Sequence, residues 1–213
     1  MKVTIVYDNT VYKKGLKADW GFSCVIEEEN TPTILFDTGT IGSILLSNMQ
    51  KLNINPASID EVFISHAHFD HIGGLPDFLQ VNKEVTVYIP FSCPGLSGAK
   101  EVVSIEQPYQ IHENVFSTGE LDGIEQSMAI RTDRGIVVIV GCSHPRMEHI
   151  LGAASQFGKV YAIIGGLHGF NNFDLFKDMK LICPTHCTQY KEKIKSLYPS
   201  QYVVGGVGKI IFP

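Results

Sequence analysis

Three histidines and an aspartate fall within six residues of one segment, Ser65-His66-Ala67-His68-Phe69-Asp70-His71. The chain carries eight histidines in 213 residues, which puts roughly 0.2 in a random six-residue window, so composition does not account for the cluster. Imidazole nitrogens and a carboxylate oxygen are ligands that suit zinc, manganese or iron. The apolar residues Val62 to Ile64 lead into the cluster as a strand, and residues two apart on extended backbone project to one side. His66 and His68 can therefore reach one ion while small Ala67 points away. The chain then turns at Gly73 and Gly74, where the backbone is least restricted, and Asp70 with adjacent His71 can serve a second ion. Two divalent ions about 3.5–4 Å apart hold a bridging hydroxide and clamp a developing oxyanion, which is hydrolytic chemistry. A lone histidine is more often a satisfied polar residue of a loop than a ligand. Three with an aspartate, at this spacing behind an apolar strand, reverse that balance.

Later histidines also stand just beyond apolar runs, where functional groups of α/β sheets collect. His144 follows Ile136 to Val140, His168 follows Tyr161 to Ile164, and His186 follows Leu181 to Cys183. His112 and His149 carry no motif; His112 is expected at the surface and His149 on the exposed side of a helix. The five cysteines (Cys24, Cys93, Cys142, Cys183, Cys187) are odd in number and scattered, which argues against a disulfide framework. Metal binding, catalysis and plain burial are the readings left for them. The string Cys183-Pro-Thr-His186-Cys187 could serve a structural zinc ion only with a second pair of close ligands, and no other cysteine supplies one.

The elements that must position these groups are legible in outline. Runs rich in β-branched and aromatic residues predict strands at Val3 to Tyr7, Phe22 to Ile26, Thr33 to Phe36, Val62 to Ile64, Val85 to Ile89, Ser127 to Arg131, Ile136 to Val140, Val160 to Ile164 and Tyr202 to Val204. Gly135-Ile-Val-Val-Ile-Val140 is too apolar for a half-exposed strand, so helices must cover the sheets. Helical spacing predicts Ser43 to Leu52, Arg146 to Phe157 ending at Gly158, and Thr188 to about Tyr198 closed by Pro199. Sheet packed on sheet with helices on both outer faces, an α/β sandwich, is the simplest arrangement. No linker or repeat divides residues 1–213, which read as one domain. With 17 Lys and Arg against 22 Asp and Glu, the net charge of −5 argues against a nucleic-acid partner. No apolar run is long enough to cross a membrane and no signal layout opens the chain, so a soluble, cytoplasmic protein acting on a small molecule is expected.

The pattern His-x-His-x-Asp-His at 66–71, before Gly73-Gly74-Leu75, resembles the metallo-β-lactamase superfamily of metal-dependent hydrolases. Ile34-Leu35-Phe36-Asp37-Thr38-Gly39 is similar to that superfamily's first motif, a strand ending in Asp-x-Gly. The likeness runs through essentially the whole chain. Asp8-Asn9, Trp20-Gly21-Phe22-Ser23, Gly141-Cys142-Ser143-His144, Ile164-Gly165-Gly166-Leu167-His168 and Pro184-Thr185-His186-Cys187-Thr188 resemble one branch. That branch includes proteins named for dihydropterin–ribofuranosylaminobenzene phosphate synthase, tied to methanopterin biosynthesis, and many described only as metal-dependent hydrolases.

The resemblance implies an αββα sandwich of two mixed β-sheets with helices on both outer faces and metals at one edge between the sheets. It implies two divalent ions, zinc first with manganese or iron as alternatives, one held by His66, His68 and His144 and the other by Asp70, His71 and His186. Many members carry a bridging aspartate where this chain has Cys142. Either the Cys142 thiolate ligates a metal, or no protein group bridges and His144 has shifted role. Asp37 reads as an acceptor that orients a ligating imidazole or the metal loop. His168 either binds substrate phosphate, donates a proton to a leaving group, or merely caps a strand end. The expected reaction is hydrolysis by a metal-bridging hydroxide whose proton Asp70 holds, on a small, phosphorylated or pterin-like substrate. The loop Phe91 to Lys100 would lie over the site, with Phe91 and Leu96 against an aromatic substrate. Two alternatives compete: a non-catalytic metal or ligand sensor with a retained dinuclear site, and di-iron redox chemistry, which the missing carboxylate at Cys142 disfavours.

Overall fold

In the computed structural model, which describes residues 1–213, two mixed sheets pack face to face. The first has the order β13-β1-β2-β3-β4-β5-β6, built from β1 (Lys2–Tyr7), β2 (Ser23–Glu27), β3 (Ile34–Phe36), β4 (Glu61–Phe63), β5 (Thr86–Pro90), β6 (Glu101–Ile105) and β13 (Ile210–Ile211). The second has the order β12-β11-β10-β9-β8-β7, built from β7 (Tyr109–His112), β8 (Val115–Leu121), β9 (Glu125–Thr132), β10 (Gly135–Val140), β11 (Val160–Gly166) and β12 (Leu181–Thr185). Strands β3 to β6 run parallel to one another, as do β10 to β12, and the remaining pairs are antiparallel.

The apolar run of β10 shows why both outer faces need helices. Val137 and Ile139 enter the core between the sheets, whereas Ile136, Val138 and Val140 point the other way, into a second core. That outer core is closed by α4 (Met147–Ser155) and α5 (Lys191–Leu197) through Met147, Ile150, Ala154 and Ile194. On the far side, Val25, Leu35, Val62 and Val87 of the first sheet pack under Leu45 and Met49 of α1 (Gly42–Lys51) and Phe78 of α3 (Leu75–Val81). The αββα sandwich is thus present. No helix is long and apolar enough to cross a membrane.

Several elements differ from expectation. Tyr202 to Val204 is not a strand; Tyr202 makes one isolated bridge to Ile182. Strands β6 and β7 arise from residues with no clean apolar run, since Glu101, Ser104, Tyr109 and Gln110 are exposed at the sheet edges, and interior β8 carries Ser117, Thr118, Gly119 and Glu120 after its first two apolar residues. The short helices α2 (Phe69–Ile72) and α3 fall below the length at which helical spacing is readable. Helices α4 and α5 are each shorter at both ends than their sequence periods.

The parallel strands converge on one edge. Asp37 follows β3, His66 follows β4, Cys142 and His144 follow β10, His168 follows β11 and His186 follows β12, so all five C-terminal strand ends open into the same crevice. Antiparallel β9 begins at that edge, which brings Glu125 there as well.

Candidate metal centre

His66 is fully buried, and its Nε2 lies 3.1 Å from His68 Nδ1. Two nitrogens of a tetrahedral zinc ion, each about 2.0–2.1 Å from it, stand about 3.3 Å apart, so the pair is spaced for one cation. The rings of His66 and His68 each lie 4.6 Å from that of His144. Ligand atoms of His66, Cys142 and His144 fall within 4.8 Å of one another. A second group, Asp70, His71, Cys142 and His186, meets the same limit. Cys142 belongs to both. Asp70, His71 and His186 thus lie together with Cys142, and His66 and His144 lie together with it; His68 stands beside His66 and His144 but outside that close group.

The far side of each buried ring is tied down. Asp37 Oδ2 accepts from His71 Nδ1 at 2.7 Å, and Asp37 also accepts from the Ser65 backbone N–H and hydroxyl, each at 2.7 Å. With its proton committed to Asp37, the Ser65 hydroxyl accepts from His66 Nδ1 at 2.9 Å. Asn9 Oδ1 accepts from His186 Nδ1 at 2.9 Å, and Asp8 Oδ1 accepts the His186 backbone N–H at 2.8 Å. Glu125 Oε2 accepts from His144 Nδ1 at 2.9 Å. With Asp37 ionised, these bonds place the proton of four imidazoles on Nδ1 and leave each Nε2 lone pair free.

Those lone pairs face inward. His186 Nε2 is buried without a hydrogen-bond partner, 3.2 Å from Asp70 Oδ2 but out of line with it. His71 Nε2 lies 3.1 Å from Cys142 Sγ and 3.8 Å from Asp70 Oδ2. A buried nitrogen left unpaired costs free energy unless something coordinates it, so the donor set fits divalent cations. Burial, reinforced by the neighbouring imidazoles, pushes His66 and His71 each down to about 3. Both are neutral at pH 7, the form that ligates metals. Burial raises Asp70, but the imidazoles of His186 and His71 beside it outweigh this and hold the carboxyl well below its usual range. The Cys187 thiol and burial push Cys142 up, and a bound cation would reverse that balance.

Three groups at the centre carry no metal motif in the sequence. Glu125, fully buried, accepts the backbone N–H groups of Gly141, Cys142 and Ser143 on Oε1 and that of His144 on Oε2, at 2.9–3.1 Å. Asn9 grips His186 from both sides, donating to its carbonyl at 3.1 Å. Trp20 donates its indole N–H to Asp70 Oδ2 at 2.9 Å. Glu125 opens a strand of mixed composition, Glu-Gln-Ser-Met-Ala-Ile-Arg-Thr, and no sequence signal marked it; Asn9 and Trp20 offered only motif resemblance. The ring of His168 stands 4.6 Å from His144. Its donor atom, with those of Cys142 and Cys187, forms a third close set. His112 is not at the surface as expected: it is half-buried, and its Nε2 lies 2.9 Å from both oxygens of buried Glu61, because β7 carries it across the sheets to β4. His149 lies on the outward side of α4, against Asp122.

The centre can be compared with known proteins. The family profile described as the metallo-beta-lactamase superfamily matches residues 21–127, half of the chain. The chain is 29% identical to 7,8-dihydropterin-6-methyl-4-(beta-D-ribofuranosyl)-aminobenzene-5'-phosphate synthase of Methanocaldococcus jannaschii, over 88% of this chain and 87% of that protein. A solved metal-dependent hydrolase of the beta-lactamase superfamily superposes with a TM-score of 0.77 at 22% identity, over 100% of this chain and 99% of that one. The metallo-beta-lactamase fold protein YhfI from Bacillus subtilis superposes with a TM-score of 0.72 at 15% identity, over 99% of each chain. At such identities the structural likeness is one of fold. On the match of its first half and on this shared fold, the chain belongs to the metallo-beta-lactamase superfamily.

Proposed function

We propose that this protein is a hydrolase that works with two divalent ions, zinc before manganese or iron, on a small phosphorylated or pterin-like molecule. The observation that carries the reading is the inward set of imidazole lone pairs, fixed from behind by Asp37, Ser65, Glu125 and Asn9, with His186 Nε2 buried and unpaired. His66, His68 and His144 would hold one ion and Asp70, His71 and His186 the other, with Cys142 within reach of both. When bound, such ions supply a nucleophile at neutral pH by lowering the pKa of water from 15.7 to about 7, and they polarise the bond under attack.

The chain's own groups do the rest. Asp70 Oδ2, anchored by the Trp20 indole, is a fixed acceptor that orients the proton of the attacking water. His168 forms one wall of a cavity of about 320 Å³ beside His144, with Arg146, Asn171 and Asn172 in its lining. Burial, with His144 nearby, lowers the pKa of His168, so at pH 7 its neutral ring gives a hydrogen bond to a phosphate or leaving oxygen rather than a full proton. A polar cavity with an arginine and two amides suits an anionic group. The similarity to the dihydropterin phosphate synthase supports the same substrate class.

The test is a panel of phosphomonoesters, phosphodiesters and thioesters, with metal content measured in parallel. Turnover that a chelator abolishes, together with a fall from two bound ions to one and a loss of about 100-fold or more in rate for Asp70→Asn, is the expected result. Two retained ions with no turnover of any class would instead make the protein a sensor.

A further inference from the structure

A groove of about 570 Å³ opens beside the metal turn, between α2 and α3 on one side and the Gly95–Gly98 loop on the other. Its walls are Phe69, Ile72, Leu75, Pro76, Leu79 and Leu96. Phe69 stands in sequence between the candidate ligands His68 and Asp70, lines the groove and is 69% exposed, a large apolar side chain turned to solvent beside the metal turn. From there the groove follows α3, seven residues or about 10 Å long, down to Lys83. Lys83 is the only charged residue in its lining, is exposed, and makes neither a salt bridge nor a side-chain hydrogen bond. No carboxylate lines the groove, although the chain as a whole is acidic.

We propose that this groove binds the apolar, aromatic body of the substrate, with a distal anionic group at Lys83 and the reacting group at the metal turn. The volume lies in the range of small-molecule sites, about 300–1,000 Å³, and an apolar trough ending in one unpaired cation is complementary to an aromatic body carrying a remote acid. The position of Phe69 joins the two ends. The assignment rests on the hydrolytic reading for which bond reacts, but not for what the groove binds.

Anilinonaphthalene sulfonate, an aromatic body with one anionic group, is the probe. Titrated into the metal-loaded full chain, it should bind with one-to-one stoichiometry and enhanced fluorescence. Lys83→Glu should weaken it by about fivefold or more. Leu96→Asp should weaken it by about tenfold. Gln80→Trp, which fills the groove from its exposed rim, should block it, and Val81→Asp, outside the lining, should leave it unchanged. In hydrolysis, Leu96→Asp should raise KM for bis(para-nitrophenyl) phosphate without changing kcat, and should not affect methyl para-nitrophenyl phosphate. Probe binding indifferent to Lys83, Gln80 and Leu96 overturns the proposal, as does concentration-dependent self-association that Leu96→Asp abolishes. If neither ester is cleaved but the probe responds as stated, the hydrolytic reading fails and the groove assignment stands.

Discussion

Glu125 makes the densest set of contacts behind the centre: its two oxygens accept four successive backbone N–H groups, from Gly141 to His144, and the His144 ring. Burial raises its pKa, but the His144 hydrogen bond and the surrounding donors more than offset this and hold it well below the usual range. Glu125→Gln removes the charge and turns one acceptor into a donor, so the His144 ring loses its fixed tautomer. Metal affinity should fall about 10–100-fold, read by competition with a chromogenic chelator; an unchanged affinity would show that Glu125 serves only the loop. The His66 to His71 cluster was legible because its ligands are neighbours in sequence. Glu125, Asn9 and Trp20 were not, since each meets its partner across 19, 177 or 50 residues of chain, where no local pattern links them.

At the level of elements, the centre depends on tight turns at strand ends. Asp37, Ser143, His168 and His186 all take positive φ, between 43° and 59°, which Asp and His tolerate better than most residues but which still costs free energy. Such turns let the chain leave a parallel strand and aim its next side chains into the crevice. Gly166, at the end of β11, shows how little room remains: a Cβ there would lie 2.5 Å from the Gly141 carbonyl oxygen and 2.7 Å from Cys187 Sγ. Gly166→Ala should therefore push β11 from the Gly141–His144 turn, lowering the thermal midpoint and weakening metal retention together. A variant that lost stability while retaining metal normally would break that link. The strands that feed the centre, β4, β10, β11 and β12, were visible as apolar runs because both their faces are buried. The edge strands β6 and β7 were hidden because one face meets solvent, and Tyr202 to Val204 has strand composition without a partner strand.

For the whole molecule, the centre is a seam between the two sheets. Asp37 and the residues from His66 to His71 come from the first sheet; Glu125, Cys142, His144 and His186 come from the second. Ions held by both would stabilise the sandwich by mass action, about 4 kcal/mol at a thousandfold excess over Kd. The pH dependence of that gain follows from the buried groups. In the metal-free chain, unfolded imidazoles take up protons near about 6.5, whereas burial holds His66 and His71 neutral down to about 3, so their stabilisation is intact above pH 6.5 and fades as pH falls. Asp37 behaves oppositely. Burial pushes its folded pKa up to about 8, above the unfolded value of about 3.9, so the folded chain binds more protons and loses stability as pH rises through that interval. Between pH 6.5 and 8 the His66 and His71 gain is complete and the Asp37 loss operates, with a slope of at most about 1.4 kcal/mol per pH unit. A cation on His71 favours ionised Asp37 through the shared imidazole and cancels the loss. The difference in Tm between metal-loaded and chelated protein should therefore widen from pH 6.5 to pH 8, and Asp37→Asn should flatten it. A difference independent of pH in the unmodified protein, measured by calorimetry, would mean that Asp37 is already ionised without metal and that the His71–Asp37 pair does not couple the ions to the stability of the seam.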